Sequence, residues 1–187
     1  MKKNNPFEVH NIKYLSPSSV NTYISDMPMW VARYLFGVKS GSGAGAVRGI
    51  VQESVLADKY RTGKFDFDIL EPKFIDTCIE FKLDLEDVKI EKEKKLLKNF
   101  AKIIDNNFDY TDLQDYQEKV EVKFEDLPVP YVGYIDFRFI NTIVDLKTTT
   151  RLPSQPTEAQ KRQMAFYSMA YPDNNVELFF ASPKDYK

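Results

Sequence analysis

The stretch Val132–Thr150, VGYIDFRFINTIVDLKTTT, decides how this chain is read. Apolar and polar positions alternate through it, which predicts two short strands joined by a tight turn. With Asn141-Thr142 as a two-residue turn, Ile140 faces Ile143, Arg138 faces Asp145 and Asp136 faces Lys147. Side chains two apart share one face of a strand, so Asp145 and Lys147 project together while Val144 and Leu146 enter the core. Asp136 and Asp145 then become diagonal neighbours on one face, near enough to hold something between them. Two carboxylates and an amine together suit a divalent metal and a phosphate. A lone Asp-Lys pair would be an ordinary ion pair on a solvated face. Asp is depleted in strands, however, and two of them on adjacent β-rich strands tilt the pair toward function.

Composition sets the bounds. A chain of 187 residues fits one domain, 1–187, that can bury a sizeable core. At 43% hydrophobic and 14% aromatic it is expected to be globular and not broadly disordered. It has no apolar run of the roughly 18 residues that a membrane span needs. MKKNNPFEVHN lacks the apolar centre of a signal peptide, so an intracellular, cytoplasmic protein is expected. The single cysteine, Cys78, can form neither an internal disulfide nor an iron-sulfur site and reads as a buried thiol. A net charge of −2 argues against a wholly basic nucleic-acid binder but agrees with carboxylates that hold a cation.

Outward from the hairpin, Leu15-Ser16-Pro17 opens a first helix, with Ser16 at the N-cap and Pro17 at the first helical position. A second helical piece is expected from Met29 to Phe36, after a break at Asp26-Met27-Pro28 and stopped by Gly37. Trp30 and Tyr34, one turn apart, read as packing residues. KSGSGAGAVRG, residues 39–49, is glycine-rich, but no strand precedes it and no Gly-Lys-Ser/Thr closes it. It is therefore neither a dinucleotide fingerprint nor a P-loop, and reads as a flexible lead-in to a helix over Val47–Tyr60. That helix would bury Ile50, Val51, Val55 and Leu56, with Glu53 near the edge of the stripe. Residues 62–85 read as irregular, with a short strand near Phe65–Leu70. Residues 87–107 form an amphipathic helix with Leu96, Leu97, Phe100, Ile103 and Ile104 inward, its lysines interleaved with glutamates as on a solvated face. Gln117–Leu127 alternates as a strand. A helix runs from Thr157 to Ala170, with Gln160, Gln163 and Tyr167 on one face. Pro172 ends it, and VELFFA, residues 176–181, is an apolar last strand.

The expected order is helix, three strands, helix, strand: an α/β fold with a mixed sheet flanked by helices, plus N-terminal helices and a helical insertion over about 61–116.

Several motifs now fall in line. Leu15-Ser16-Pro17-Ser18-Ser19 with Tyr23, Arg48-Gly49 with Glu53, Gly133-x-x-Asp136, Asp145-Leu146-Lys147 and Gln163-x-x-x-Tyr167 occur in one order, each on the expected element. Together they resemble the PD-(D/E)XK nuclease superfamily, in its RecB-like and phage-exonuclease branch, over residues 15–182. The resemblance implies the restriction-endonuclease-like αβββαβ core and a metal-dependent DNA nuclease that hydrolyses phosphodiester bonds, in the form of a phage-type exonuclease on DNA ends. A structure-specific or restriction-type endonuclease is an alternative within the same chemistry. From other classes come a non-catalytic nucleic-acid-binding subunit, against which the intact acids and lysine argue, and a small-molecule metal hydrolase, which would need a deep pocket.

The resemblance also implies roles. Glu53, Asp136, Asp145 and the Leu146 backbone carbonyl would hold Mg²⁺ or Mn²⁺. Lys147 would position or deprotonate the attacking water and offset phosphate charge, with Gln163 and Tyr167 orienting substrate and lysine. Arg48, Ser18, Thr148, Thr149, Arg151 and Gln160 would contact substrate. Some relatives carry an iron-sulfur cluster on cysteines; Met27 stands before Pro28 here, so none is expected. His10 lies away from every motif and reads as a surface residue. DNA is the implied partner, in the host cytoplasm if the chain is phage-encoded. A ring-shaped homo-oligomer, a recombination or helicase partner and a further C-terminal element all stay open.

Overall fold

The structure, a computed structural model, describes residues 5–38, 41 and 43–187. Its helices are α1 (Pro6–Val9), α2 (Pro17–Ser25), α3 (Met27–Trp30), α4 (Ala44–Thr62), α5 (Leu70–Glu80), α6 (Val88–Asn107) and α7 (Glu158–Ala170), with a π-helical turn at Val31–Leu35. The strands β1 (Leu113–Val122), β2 (Tyr131–Phe139), β3 (Thr142–Thr148) and β4 (Asn175–Ala181) form one sheet in that order. β1–β2 and β2–β3 are antiparallel, and β4 returns through α7 to lie parallel to β3. This is the expected α/β arrangement with a mixed sheet, since a parallel return needs a crossover helix.

Two apolar clusters sandwich the sheet. On one face Phe137, Phe139, Val144 and Leu146 pack with residues of α4, α5 and α6; on the other, Ile135, Val120 and Ile143 meet Phe166 and Tyr167 of α7. Ile135 and Phe137 are two apart on one strand yet belong to opposite faces. Ordinary period-2 alternation would put them together. The switch happens at Asp136, and on the neighbouring strand at Gln117, whose φ is +54. A non-glycine residue in the left-handed region is uncommon and marks a local twist. The first acid of the candidate site therefore stands where the sheet exchanges its faces.

Several expectations need correction. The turn is Ile140-Asn141, because Phe137 pairs with Val144 and Arg138 with Ile143. The register is thus shifted by two residues from the Asn141-Thr142 turn. An even shift keeps every side chain on its face and moves Asp136 from a diagonal toward a position opposite Asp145. Residues 70–80 are helical, with no strand at 65–70; Leu70, Phe74 and Cys78 recur every four residues and are all buried. α3 begins at Met27, with Asp26 accepting from the Met29 N–H and Pro28 tolerated in the first turn. α4 starts at Ala44 and ends at Gly63, in the left-handed conformation. Ile50 is exposed, and the polar Arg48 and Gln52 take the buried stripe beside Val51, Val55 and Leu56. β1 spans Leu113–Val122, so it opens within the stretch read as an insertion and stops before Leu127. β4 is apolar only in its second half. Residues 39, 40 and 42 of the glycine-rich stretch lie outside the described residues.

Gly133 has a packing reason. A Cβ there would lie 2.6 Å from Cε1 of the buried Phe166 and 3.3 Å from the Tyr167 ring. Gly133→Ala should force α7 off the sheet, costing about 1–3 kcal/mol, with the melting midpoint falling roughly 2–4 °C per kcal/mol. Differential scanning fluorimetry checks this, and an unchanged midpoint would mean that the ring has room to yield.

Candidate functional site

β2 and β3 pair through Phe137↔Val144 and then part. Where the ladder would continue, Oδ2 of Asp136 accepts the Leu146 N–H at 3.1 Å. A side chain thus takes the place of a backbone partner and is anchored between the strands. On a strand the N–H and C=O of one residue leave on the same side, so the Leu146 carbonyl also faces β2. Asp145, next along β3, is fully buried on the α7 face. Its Oδ1 accepts from Nε2 of Gln163 at 3.0 Å, and Nζ of Lys147 lies 2.5 Å from its Oδ2. The Lys147 ammonium thus faces the buried Oδ2 directly, while Gln163 serves the other oxygen.

α7 locks this arrangement from one side. The capping box of Thr157 and Gln160 starts the helix. One turn on, Nε2 of Gln163 donates to the Tyr167 hydroxyl at 2.8 Å as well as to Asp145. The Tyr167 hydroxyl in turn donates to the Tyr134 carbonyl on β2. Gln163 and Tyr167 thereby tie β2, β3 and Asp145 together.

α4 closes the other side. Arg48 ion-pairs with Glu93 on α6, donates to the Thr148 carbonyl at 3.0 Å and lies over the Phe100 ring. One turn later α4 presents Glu53. Nε2 of Gln117 reaches both Oε2 of Glu53 at 3.3 Å and Oδ1 of Asp136 at 3.4 Å, so one amide spans the acids of α4 and β2.

The electrostatics follow from this crowding. Burial pushes the Glu53 carboxyl up to about 8, with Asp136 adding to the rise and Lys147 opposing it. Burial and then the Asp145 charge push Asp136 up to about 7. Burial also raises Asp145, against the pull of Lys147. For Lys147 burial disfavours the ammonium, but Asp145 and Asp136 outweigh it and hold the group above its ordinary value. Glu53, Asp136, Asp145 and Lys147 therefore sense one another as one charge cluster.

The expected residues divide. Glu53, Asp136, Asp145, Lys147, Gln163 and Tyr167 come together. Arg48 is buried and engaged by Glu93 and Thr148, which corrects its assignment to substrate. Gln160 uses its Oε1 and backbone N–H in the cap with Thr157. Ser18 is exposed beside a groove of about 330 Å³ that Tyr14, Asn21, Gln163 and Tyr167 help to line. The hydroxyl of Thr149 donates to the Arg151 carbonyl, and the Arg151 side chain is exposed. Gln117, which the sequence reading passed over as the first residue of an ordinary strand, sits at the centre. A glutamine in an alternating strand carries no signal that its φ is positive.

In donor type the cluster suits a hard divalent cation, since its candidate ligating groups are all oxygen. Among the described residues, however, no three acidic, histidine or cysteine side chains are grouped so that they could hold a metal ion as they stand. The acids are bridged instead by the Gln117 amide and the Lys147 ammonium.

The acid-and-lysine cluster thus stands where two strands part, in an α/β fold with helices on both faces of a mixed sheet. No family model matches the chain, and no curated protein matches it. Among solved structures, it is similar to the crystal structure of a putative exonuclease from Eubacterium rectale, with 13% identity, a TM-score of 0.59, and 97% of this chain and 72% of that one covered. At that identity the likeness shows the fold. The structure of SSO0001, at 11% identity and a TM-score of 0.36 over 91% of this chain and 71% of that one, carries no argument. No helix among the described residues is long and apolar enough to cross a membrane.

Proposed function

We propose that the chain is a metal-dependent DNA nuclease, in the form of an exonuclease working from DNA ends. The observation that carries this reading is the meeting of Glu53 from α4, Asp136 from β2, and Asp145 and Lys147 from β3, with Gln117 between the first two and Lys147 against Asp145. Its likeness in fold to a protein named as a putative exonuclease favours the exonuclease form.

Glu53, Asp136, Asp145 and the Leu146 carbonyl would hold Mg²⁺ or Mn²⁺. A cation there supplies Lewis-acid polarisation of the scissile phosphate and makes water acidic enough to attack near neutral pH. Lys147, half-buried and charged, positions the water and offsets charge growing on the phosphate. Gln163 holds Asp145 in place, and Tyr167 fixes Gln163 to the sheet. Ser18, Thr148, Thr149 and Arg151 would be contacts for the DNA backbone.

The test incubates linear and circular DNA with the protein in Mg²⁺, Mn²⁺ or EDTA, beside Lys147→Ala. Loss of linear DNA alone, abolished by EDTA and lowered about a hundredfold or more by Lys147→Ala, is the expected result. Nicking of circles would convert the reading to an endonuclease. Binding without cleavage in any metal would leave a non-catalytic nucleic-acid-binding subunit.

A further inference from the structure

Gln117 stands out from its surroundings in two independent ways. Its backbone holds φ +54 inside a strand, a conformation that costs a non-glycine residue free energy. Its side chain reaches Glu53 and Asp136 together, at 3.3 and 3.4 Å. It is the amide nitrogen that lies between the two acids, and an N–H is a partner that a carboxyl oxygen accepts in either protonation state. The left-handed turn of the backbone coincides with the face switch at Asp136 and delivers that nitrogen to the gap between the two acids. β1 is an edge strand, free to carry such an irregularity without breaking a ladder on its far side.

We infer that Gln117 is a positioning residue whose amide holds the Glu53 and Asp136 carboxylates together while no cation is bound, and which a divalent cation must displace. The inference rests on the metal-site reading above. With Nε2 turned to the acids, as the two hydrogen bonds have it, the amide and a cation are mutually exclusive partners of the Glu53–Asp136 pair. Gln117 therefore stabilises the metal-free protein selectively. Removing the amide raises the free energy of that state and leaves the cation-bound state with less to displace.

The experiment compares the parent with Gln117→Ala and Gln117→Gly. Mn²⁺ affinity is measured by electron paramagnetic resonance without DNA, and melting midpoints are taken in EDTA and in saturating Mn²⁺. Both variants should bind Mn²⁺ about two- to tenfold more tightly, the worth of one or two hydrogen bonds, and show a larger Mn²⁺-induced rise in midpoint than the parent. Glycine relieves the backbone at φ +54, so its midpoint in EDTA should lie above that of the alanine variant; if alanine fails to fold, glycine carries the test. A merely structural residue would lower both midpoints equally and leave affinity unchanged. Unchanged or weaker Mn²⁺ binding in the glycine variant, with the parent binding normally, overturns the role of Gln117. Absence of Mn²⁺ binding to the parent overturns the metal site itself, and the inference with it.

Discussion

Asp145→Asn is expected to lower metal-dependent cleavage of linear DNA by about a thousandfold or more, roughly 4 kcal/mol of transition-state stabilisation, while the protein stays folded. Asp145 touches Gln163 through one oxygen and Lys147 through the other. Asparagine can keep its oxygen toward Gln163 only by turning its own NH₂ at the Lys147 ammonium, donor against donor. The anionic ligand is lost, and the lysine is pushed from the place where it would meet a phosphate. Two effects on stability oppose each other. The parent keeps a fully buried carboxylate, and burial is the leading cause of its raised pKa, so a neutral isostere removes that desolvation cost. It also breaks the ion pair with Lys147 and leaves the ammonium without its nearest carboxylate. The midpoint in EDTA should therefore change far less than the activity. Cleavage within tenfold of the parent would remove Asp145 from the reaction, and the midpoint guards against mistaking unfolding for lost chemistry.

The two features that made the hairpin readable survive an error in its turn. Alternation has a period of 2, so the two-residue register shift left Asp145 and Lys147 on their faces. Gly133 could be flagged as a motif glycine, but its cause, the Phe166 ring at 2.6 Å from a would-be Cβ, comes from a helix far along the chain. Glu53 reads locally as a rim charge and gained a role only through the resemblance. Arg48 was misread because its partner, Glu93, lies 45 residues away, a separation that no local pattern encodes. The cap at Gln160 was legible, since Thr157-x-x-Gln160 has the capping-box spacing. The face switch at Gln117 and Asp136 had no sequence signal, because a strand that exchanges faces looks like one that alternates badly.

Raising the pH from about 5 to about 8 in EDTA should destabilise the protein, and a divalent cation should cancel most of that loss. Glu53 and Asp136 are held at about 8 and about 7, against ordinary values of 4.5 and 3.8 that the unfolded chain recovers. Between those limits the folded state keeps protons that the unfolded state has released. Stability then falls with rising pH; it is full below the unfolded values and is lost as pH climbs through the folded ones. Because the two acids influence each other their contributions do not add, and the loss is on the order of a few kcal/mol. At roughly 2–4 °C per kcal/mol for a chain of this size, the EDTA midpoint should drop by on the order of 10 °C. Lys147 does not offset this, since its raised pKa lies above the window and acts only at higher pH. Mg²⁺ or Mn²⁺ binds the ionised acids, so its stabilisation should be small near pH 5 and largest near pH 8, with protons released on binding. Glu53→Gln should flatten the EDTA profile, leaving the Asp136 part. A profile in EDTA that is level or rising across this range would show that the carboxylates are already ionised and separately solvated. A cation between them would then have no proton to displace and no repulsion to relieve.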